Sequence, residues 1–169
     1  SFRGRTGDGD YGLQNYADMF TQPELLLVLR NTALWVILVP FLATAVGLLY
    51  AILIDRARIE AFAKALIFLP MAISMVGAGI IWKFVYQYKQ TSRDQIGLLN
   101  AILKFFGFET QQFLINAPLN TFMLIIVMVW IQAGFAMTVL SAAIKAIPDD
   151  IIEAARLDGC SRFATFRLV

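Results

Sequence analysis

Residues 121–144 read TFMLIIVMVWIQAGFAMTVLSAAI, which are 24 consecutive residues without a charged side chain. A helix of about 20 apolar residues crosses the roughly 30 Å hydrocarbon core of a bilayer, so this stretch predicts a transmembrane helix. Two further stretches meet the same condition, because residues 32–54 hold 23 uncharged residues and residues 65–82 hold 18. Three spans joined by polar segments predict an all-α integral membrane fold.

The composition agrees with this class and excludes several chemistries. Hydrophobic residues make up 59% of the 169 residues and charged residues 15%, which is too apolar for an ordinary soluble domain. The chain has no histidine and one cysteine, Cys160, so it has no histidine acid–base catalyst, histidine metal site or internal disulfide. The formal net charge of +2 does not suggest nucleic acid binding. We therefore predict no catalytic residues, no metal site and no nucleic acid partner.

The loops differ in their density of lysine and arginine, which sets the expected orientation. Residues 55–64 and 145–169 carry seven basic residues in 35, whereas residues 1–31 and 83–120 carry seven in 69. Basic residues are enriched in cytoplasmic loops near span ends, so the first two segments are predicted to be cytoplasmic. The predicted order is an extracytoplasmic segment 1–31, a span 32–54, a cytoplasmic loop 55–64, a span 65–82, an extracytoplasmic loop 83–120, a span 121–144 and a cytoplasmic segment 145–169.

Polar and helix-bending residues inside the predicted spans are few. Gln132 has an amide that needs partners in a medium without water, so it either lines a polar translocation path or bonds to a neighbouring helix. Pro40 and Pro70 each remove a backbone hydrogen bond and favour a kink. No charged residue lies within the three stretches, so they offer no proton relay or ion pair at mid-membrane.

The predicted extracytoplasmic loop contains an amphipathic segment. Apolar residues recur there at helical spacing, at Ile96, Leu99, Ile102, Leu103 and Phe106. Asn100 and Lys104 lie on the opposite face, and Gly107 follows as a stop signal. This pattern predicts an amphipathic helix over residues 96–106 that lies along the outer membrane surface or docks an external partner.

The segment after the third span reads PDDIIEAARLDG at residues 148–159. Pro148 suits the first turn of a helix, and the acidic residues that follow lie near the positive end of the helix dipole. Gly159 can adopt the left-handed conformation that ends a helix, and Ser161 can cap a second one. The pattern predicts a helix–turn–helix unit with an apolar strip beside a charged face. Such a unit fits a groove on a partner protein or rests on lipid headgroups, and the residues alone favour neither.

Part of this unit resembles the Glu-Ala-Ala loop of permease subunits in binding-protein-dependent ABC importers. Glu153, Ala154 and Ala155 are followed after three residues by Gly159, with Ala-Ile-Pro ahead and Arg-Leu-Asp-Gly-Cys-Ser-Arg across the turn. The family pattern continues for nine residues to an isoleucine, one residue and Leu-Pro, and its isoleucine place falls on Val169. Other stretches resemble the sugar branch, which includes the maltose-type and α-glucoside permeases: YGLQNY at 11–16, LRNT at 29–32, FLP at 68–70 and GLLN at 97–100.

The resemblance implies a type I ABC importer permease bundle in the bacterial inner membrane, importing sugars or glycosides. In that family the loop's first helix is a coupling helix that docks on a cytoplasmic ATPase. The residues that carry over as ATPase-coupling residues are Glu153, Ala154, Ala155, Arg156, Asp158 and Gly159. The chain itself is then expected to bind no cofactor, because the partner ATPase dimer binds ATP. The other implied partners are a second permease subunit, an extracytoplasmic solute-binding protein and the lipid bilayer.

Family permeases commonly have six or more spans, so further spans are expected before Ser1 and after Val169, and this chain alone is not expected to transport. Two other classes remain as alternatives. An ATP-independent channel or secondary transporter would need an ion-coordinating or charged site near mid-membrane, which the predicted spans lack. A membrane-embedded enzyme would need acid, base or metal-binding residues at bilayer depth. We therefore predict a non-catalytic permease subunit.

Overall fold

The computed structural model describes residues 20–55, 58–89 and 97–168, and these residues form helices, turns and loops without a β-strand. The helices in these ranges are α1 (Pro23–Ile54), α2 (Glu60–Ala72), α3 (Met75–Val85), α4 (Leu98–Phe105), α5 (Leu119–Lys145), α6 (Asp149–Leu157) and α7 (Arg162–Leu168). The predicted all-α fold class is confirmed.

Helix α5 organises the apolar part of the chain, because both α1 and α2 pack against it. Its buried residues are mostly small or aliphatic: Thr121, Ile125, Ile131, Ala133, Gly134, Met137 and Ser141. The buried residues of α1 are smaller still: Ala43, Gly47 and Ala51. Lipid tails are as apolar as leucine, so helices in a bilayer associate through close packing of small residues rather than through the hydrophobic effect.

The large apolar side chains of these helices mostly point away from the core. Phe41 on α1 is 67% exposed, and Phe135 and Val139 on α5 are about half exposed. This inside-out pattern suits a helix that is surrounded by hydrocarbon and satisfies its own backbone hydrogen bonds. Helices α1 and α5 are each long and apolar enough to cross a membrane.

The second predicted span, residues 65–82, is wrong as one continuous helix. The stretch is divided between α2 and α3, which meet at an angle of 102°. Ile73 and Ser74 have extended backbone, and Ser74 Oγ accepts a hydrogen bond from the Gly77 N–H at 3.1 Å, which caps α3. An uncharged composition does not reveal such a cap. The described ranges thus contain two candidate spans, or three if the bent pair crosses as one.

The first helix also differs from the prediction at its start. Helix α1 begins at Pro23 rather than at residue 32, so the predicted extracytoplasmic segment 1–31 is helical in its last part. Residues 1–19 lie outside the described ranges. Arg30 ended the uncharged stretch in the sequence, but its exposed side chain is compatible with a helix, since a long basic side chain can extend along the surface towards headgroups. Helix α5 includes the whole of the predicted span 121–144.

The amphipathic helix in the loop before α5 differs from the prediction at one residue of its polar face. Helix α4 covers Leu98–Phe105, and Gly107 follows with a φ of 79°, as its predicted stop requires. Ile96, the predicted first apolar position, lies outside the described ranges. Ile102 and Phe106 are exposed, whereas Asn100, which was expected on the polar face, is fully buried.

Asn100 is buried because its amide satisfies the backbone of the surrounding loop. Its Nδ2 donates to the carbonyl oxygens of Gln87 at 2.9 Å and Gln111 at 3.1 Å. Its Oδ1 accepts from the Gln111 N–H at 2.8 Å. Buried polar groups are tolerated when they are paired in this way, and helical periodicity does not encode such long-range partners.

An aromatic cluster connects α3 to α5 at the same end. The Trp82 ring lies 5.0 Å from that of Tyr86 and 5.5 Å from that of Trp130 on α5, between ring centroids. The Tyr86 hydroxyl donates to the carbonyl oxygen of Met123 at 3.0 Å, and its ring contacts Phe113. These contacts anchor the second half of the bent pair to the central helix.

Two glycines permit the closest helix contacts. A Cβ at Gly47 of α1 would lie 2.6 Å from the Ala136 Cβ and 2.7 Å from the Met137 backbone nitrogen. A Cβ at Gly134 of α5 would lie 2.5 Å from the Ile67 carbonyl oxygen. Any side chain at either position would therefore force α5 away from α1 or α2.

We predict that Gly47→Ala and Gly134→Ala lower the thermal unfolding midpoint of the full-length permease in detergent. Overpacking at such contacts costs about 1–3 kcal/mol. Gly79→Ala is the matched control, because a Cβ there meets no atom within 4 Å and alanine favours a helix. Thermal denaturation of all three variants checks the packing, and equal midpoints for all three would contradict it.

Candidate coupling site

Helix α6 begins directly beyond the end of α5. Lys145 is the last residue of α5, and only residues 146–148 separate it from Asp149. Pro148 takes the position before the first helical residue, and its carbonyl oxygen accepts the N–H of Ile151 at 3.1 Å. The acidic first turn lies at the positive end of the helix dipole, as the sequence predicts. Helices α5 and α6 are therefore joined by a connection of only three residues.

The turn between α6 and α7 is a Schellman motif. Gly159 has a φ of 79°, its N–H donates to the Arg156 carbonyl at 3.1 Å, and the Cys160 N–H donates to the Ala155 carbonyl at 3.0 Å. Ser161 Oγ then accepts a backbone N–H of α7 at 3.2 Å and caps that helix. The predicted glycine turn and serine cap are both confirmed. The two helices and their turn, residues 149–168, are called the coupling unit below.

The coupling unit presents charged and apolar side chains that are unpartnered within the described ranges. The residues predicted to contact an ATPase are exposed except for the half-buried Ala155: Glu153, Ala154, Ala155, Arg156, Asp158 and Gly159. Leu157 is 83% exposed and Phe163 74%. The side chains of Glu153, Arg156 and Asp158 make no ion pair or hydrogen bond to any described residue. This combination of charged and apolar surface is characteristic of a docking surface rather than of a packed loop.

Five side chains form an ionic cluster at the same end of the bundle: Asp55, Glu60, Lys64, Ser141 and Lys145. Asp55 Oδ1 lies 2.5 Å from Lys64 Nζ and 3.8 Å from Lys145 Nζ, and it accepts a hydrogen bond from Ser141 Oγ at 2.6 Å. Glu60 Oε1 lies 2.9 Å from Lys64 Nζ and also pairs with Lys145. The cluster joins the end of α1, the start of α2 and the end of α5.

The electrostatics of the cluster favour the charged form of Asp55, its most buried charged member. Asp55 is 11% exposed, and desolvation alone would raise its pKa. Hydrogen bonds from Lys64 and Ser141 and the charges of Lys64 and Lys145 outweigh that effect, so the pKa of Asp55 lies below its usual value. The carboxylate is therefore ionised at neutral pH and holds both lysines.

Sequence reasoning did not identify the ionic cluster. Its four charged residues lie outside the uncharged stretches, in the predicted cytoplasmic segments. From the sequence alone, they were interpreted only as loop charges that indicate how the chain is oriented in the membrane. A signal was present, because Asp55 directly follows one span and Lys145 directly follows another, with Ser141 one helical turn before it. Only the packing of α1 and α2 on α5 shows that these residues meet.

Gln132, the predicted pore-lining residue, is half-buried on α5 and makes no hydrogen bond to any described residue. A cavity of about 360 Å³ lies between α1, α2, α3 and α5, and Gln132 does not line it. The lining residues are mostly apolar or aromatic: Val46, Tyr50, Leu66, Ile67, Pro70, Trp82, Ile126, Val129, Trp130 and Ala133. A role for Gln132 in a pore stays a prediction. Among the described residues, no group of acidic or cysteine side chains is arranged to hold a metal ion.

Apolar helices long enough to cross a bilayer, with a helix–turn–helix unit exposed at one end, define a multi-span integral membrane protein. The chain belongs to the family of binding-protein-dependent transport system inner membrane components, whose model matches residues 27–169. The family resemblance predicted from the Glu-Ala-Ala loop is thus confirmed, and so is the inner-membrane location.

Two relatives show where the chain stands in that family. It is 50% identical over 155 residues to the osmoprotective compounds uptake permease protein GgtC of Synechocystis sp., a match that covers 92% of this chain and 56% of GgtC. It is 46% identical over 166 residues to the α-glucoside transport system permease protein AglF of Rhizobium meliloti, a match that covers 98% of this chain and 49% of AglF. The chain therefore spans about half the length of the relatives that it matches.

Solved structures support the fold. A crystal structure of a bacterial ABC transporter involved in the import of the acidic polysaccharide alginate matches with a TM-score of 0.74 and 22% identity, covering 96% of this chain and 56% of that one. A second structure of the alginate transporter, in complex with an alginate pentasaccharide-bound periplasmic protein, matches with a TM-score of 0.69. At this identity the match establishes the ABC importer permease fold.

Proposed function

We propose that the chain is part of the transmembrane permease subunit of an ATP-driven importer for sugars or glycosides. The observation that carries this proposal is the coupling unit, which follows α5 after three residues and presents its surface away from the bundle. An exposed unit with charged and apolar side chains at the end of a span suits a subunit that receives force from another protein.

The proposed substrate class follows from the relatives. Both GgtC and AglF are named as uptake or transport permeases, for osmoprotective compounds and for α-glucosides. Nearly half of the residues are identical in each case, which favours a small polar solute of the sugar or glycoside class for this chain. Gln132 on α5 is the residue that we assign to the lining of the path for this solute.

The proposed partners have separate roles. A cytoplasmic ATPase dimer would bind ATP and receive α6 in a surface groove, so this chain would need no cofactor and perform no catalysis of its own. A second permease subunit would complete the translocation path through the bilayer, and an extracytoplasmic solute-binding protein would deliver the substrate. In this arrangement the acidic first turn and the Ala154–Ala155 face of α6 supply contacts with the ATPase.

We predict that Gly159→Val abolishes most substrate-dependent uptake by the complete transporter, whereas Gly159→Asn retains most of it. No atom lies within 4 Å of a Cβ at Gly159, so the cost arises from its φ of 79° alone. That cost is about 1–2 kcal/mol for an ordinary residue and less for asparagine, which tolerates this conformation. This cost corresponds to roughly a 5- to 30-fold fall in the ratio of formed to unformed turns.

The measurement is uptake of labelled α-glucosides into proteoliposomes that contain the permeases, the ATPase and the binding protein. Co-purification of the ATPase with each variant separates loss of docking from loss of assembly in the membrane. Full uptake by Gly159→Val would show that the turn geometry is not needed for coupling.

The orientation of the coupling unit has its own test. We predict that a membrane-impermeant maleimide labels Cys160 in inside-out vesicles and not in intact cells, because the unit is proposed to be cytoplasmic and Cys160 is partly exposed. Cys160→Ser is the control that assigns the label to this residue. Labelling of Cys160 in intact cells would reverse the proposed topology.

A further inference from the structure

The ionic cluster connects three helices at the point where α5 leaves the bundle. Glu60 and Lys64 belong to α2, Asp55 caps α1, and Lys145 ends α5. Ser141 Oγ lies within hydrogen-bond distance of both Asp55 at 2.6 Å and Lys64 at 2.5 Å. The end of α1 and the first turns of α2 are thereby held against the last turn of α5.

The cluster is built to resist separation. Its charges alternate in sign, so Asp55 and Glu60 each face lysines, and Lys64 and Lys145 each face carboxylates. Three of the four charged side chains are less than a third exposed, which reduces solvent screening relative to a surface pair. Removing one charged member leaves the partly buried opposite charges with one partner fewer, which is unfavourable.

The glycine contacts and the ionic cluster lie at different positions along α5. Gly134 holds α5 against α2 in the middle of the helix, whereas Lys145 lies at its end, next to the coupling unit. The mid-helix contacts alone would allow the end of α5 to move apart from α1 and α2. The cluster connects the end of α5 to α1 and α2, so a displacement of α6 would move both of these helices with α5.

We propose that the ionic cluster is a mechanical tie that transmits movement of the coupling unit to α1 and α2, with Lys145 and Glu60 as positioning residues. This inference rests on the proposed function, since it names the route by which ATP hydrolysis in a partner would reach the membrane helices. It assigns to Asp55 at the end of α1 and to Glu60 and Lys64 in α2 a role in coupling that is separate from the role of the coupling unit.

The test measures substrate transported per ATP hydrolysed in proteoliposomes of the complete transporter. Lys145→Met and Glu60→Gln each remove the ion pair between Glu60 of α2 and Lys145 of α5 and leave the Lys64–Ser141 hydrogen bond in place. Each should lower that ratio about fivefold or more while ATP hydrolysis continues. The double variant should be no worse than the more affected single variant, because both changes remove the same link. Lys104→Met on the exposed α4 is the control and should keep the wild-type ratio.

A wild-type ratio in both single variants overturns the tie, and so does strict additivity in the double variant. If the charge variants do not assemble, Ser141→Ala decides, because it removes a single hydroxyl from the cluster: a lowered ratio supports the tie and an unchanged one overturns it. If the wild-type complex neither binds an ATPase nor transports sugars, the proposed function fails instead.

Discussion

Direct contact between the backbone of α5 and two neighbouring helices is the constraint on which the rest of the structure depends. Gly47 and Gly134 let α1 and α2 approach until no Cβ would fit between them. In hydrocarbon no hydrophobic force drives helices together, so this close packing and a few polar links must hold the bundle. The large side chains are thereby left on the outside, in contact with lipid.

Because α5 is held in this way, its end is a defined place for attaching a coupling unit. The helix continues without interruption from Leu119 to Lys145, and α6 follows after three residues. The Schellman turn at Gly159 joins α6 to α7 through backbone hydrogen bonds alone. The ionic cluster lies at the same end. The ionic cluster and the coupling unit thus lie together at one end of the helices. This location agrees with the proposal that the partner ATPase lies outside the bilayer.

The sequence predicted those features that depend on local rules. Uncharged length predicted the helices now seen as α1 and α5, and the Gly159 turn and Ser161 cap followed from residue preferences. The break at Ser74 was missed because one polar residue in an apolar stretch is compatible with both a straight and a bent helix. The burial of Asn100 and the meeting of Asp55 with Lys145 depend on partners far away in the chain. Periodicity cannot show such pairings, because they arise only when the helices pack.

The most direct test of the central claim is photo-crosslinking from Ile151, an exposed apolar residue of α6, in the assembled transporter in its native membrane. The account predicts that a photoreactive residue at this position captures the ATPase subunit. The same probe at Phe41, an exposed apolar residue in the middle of α1, should capture phospholipid and serves as the reference. Capture of phospholipid alone from Ile151, at the level seen from Phe41, would contradict the claim that α6 docks on an ATPase subunit.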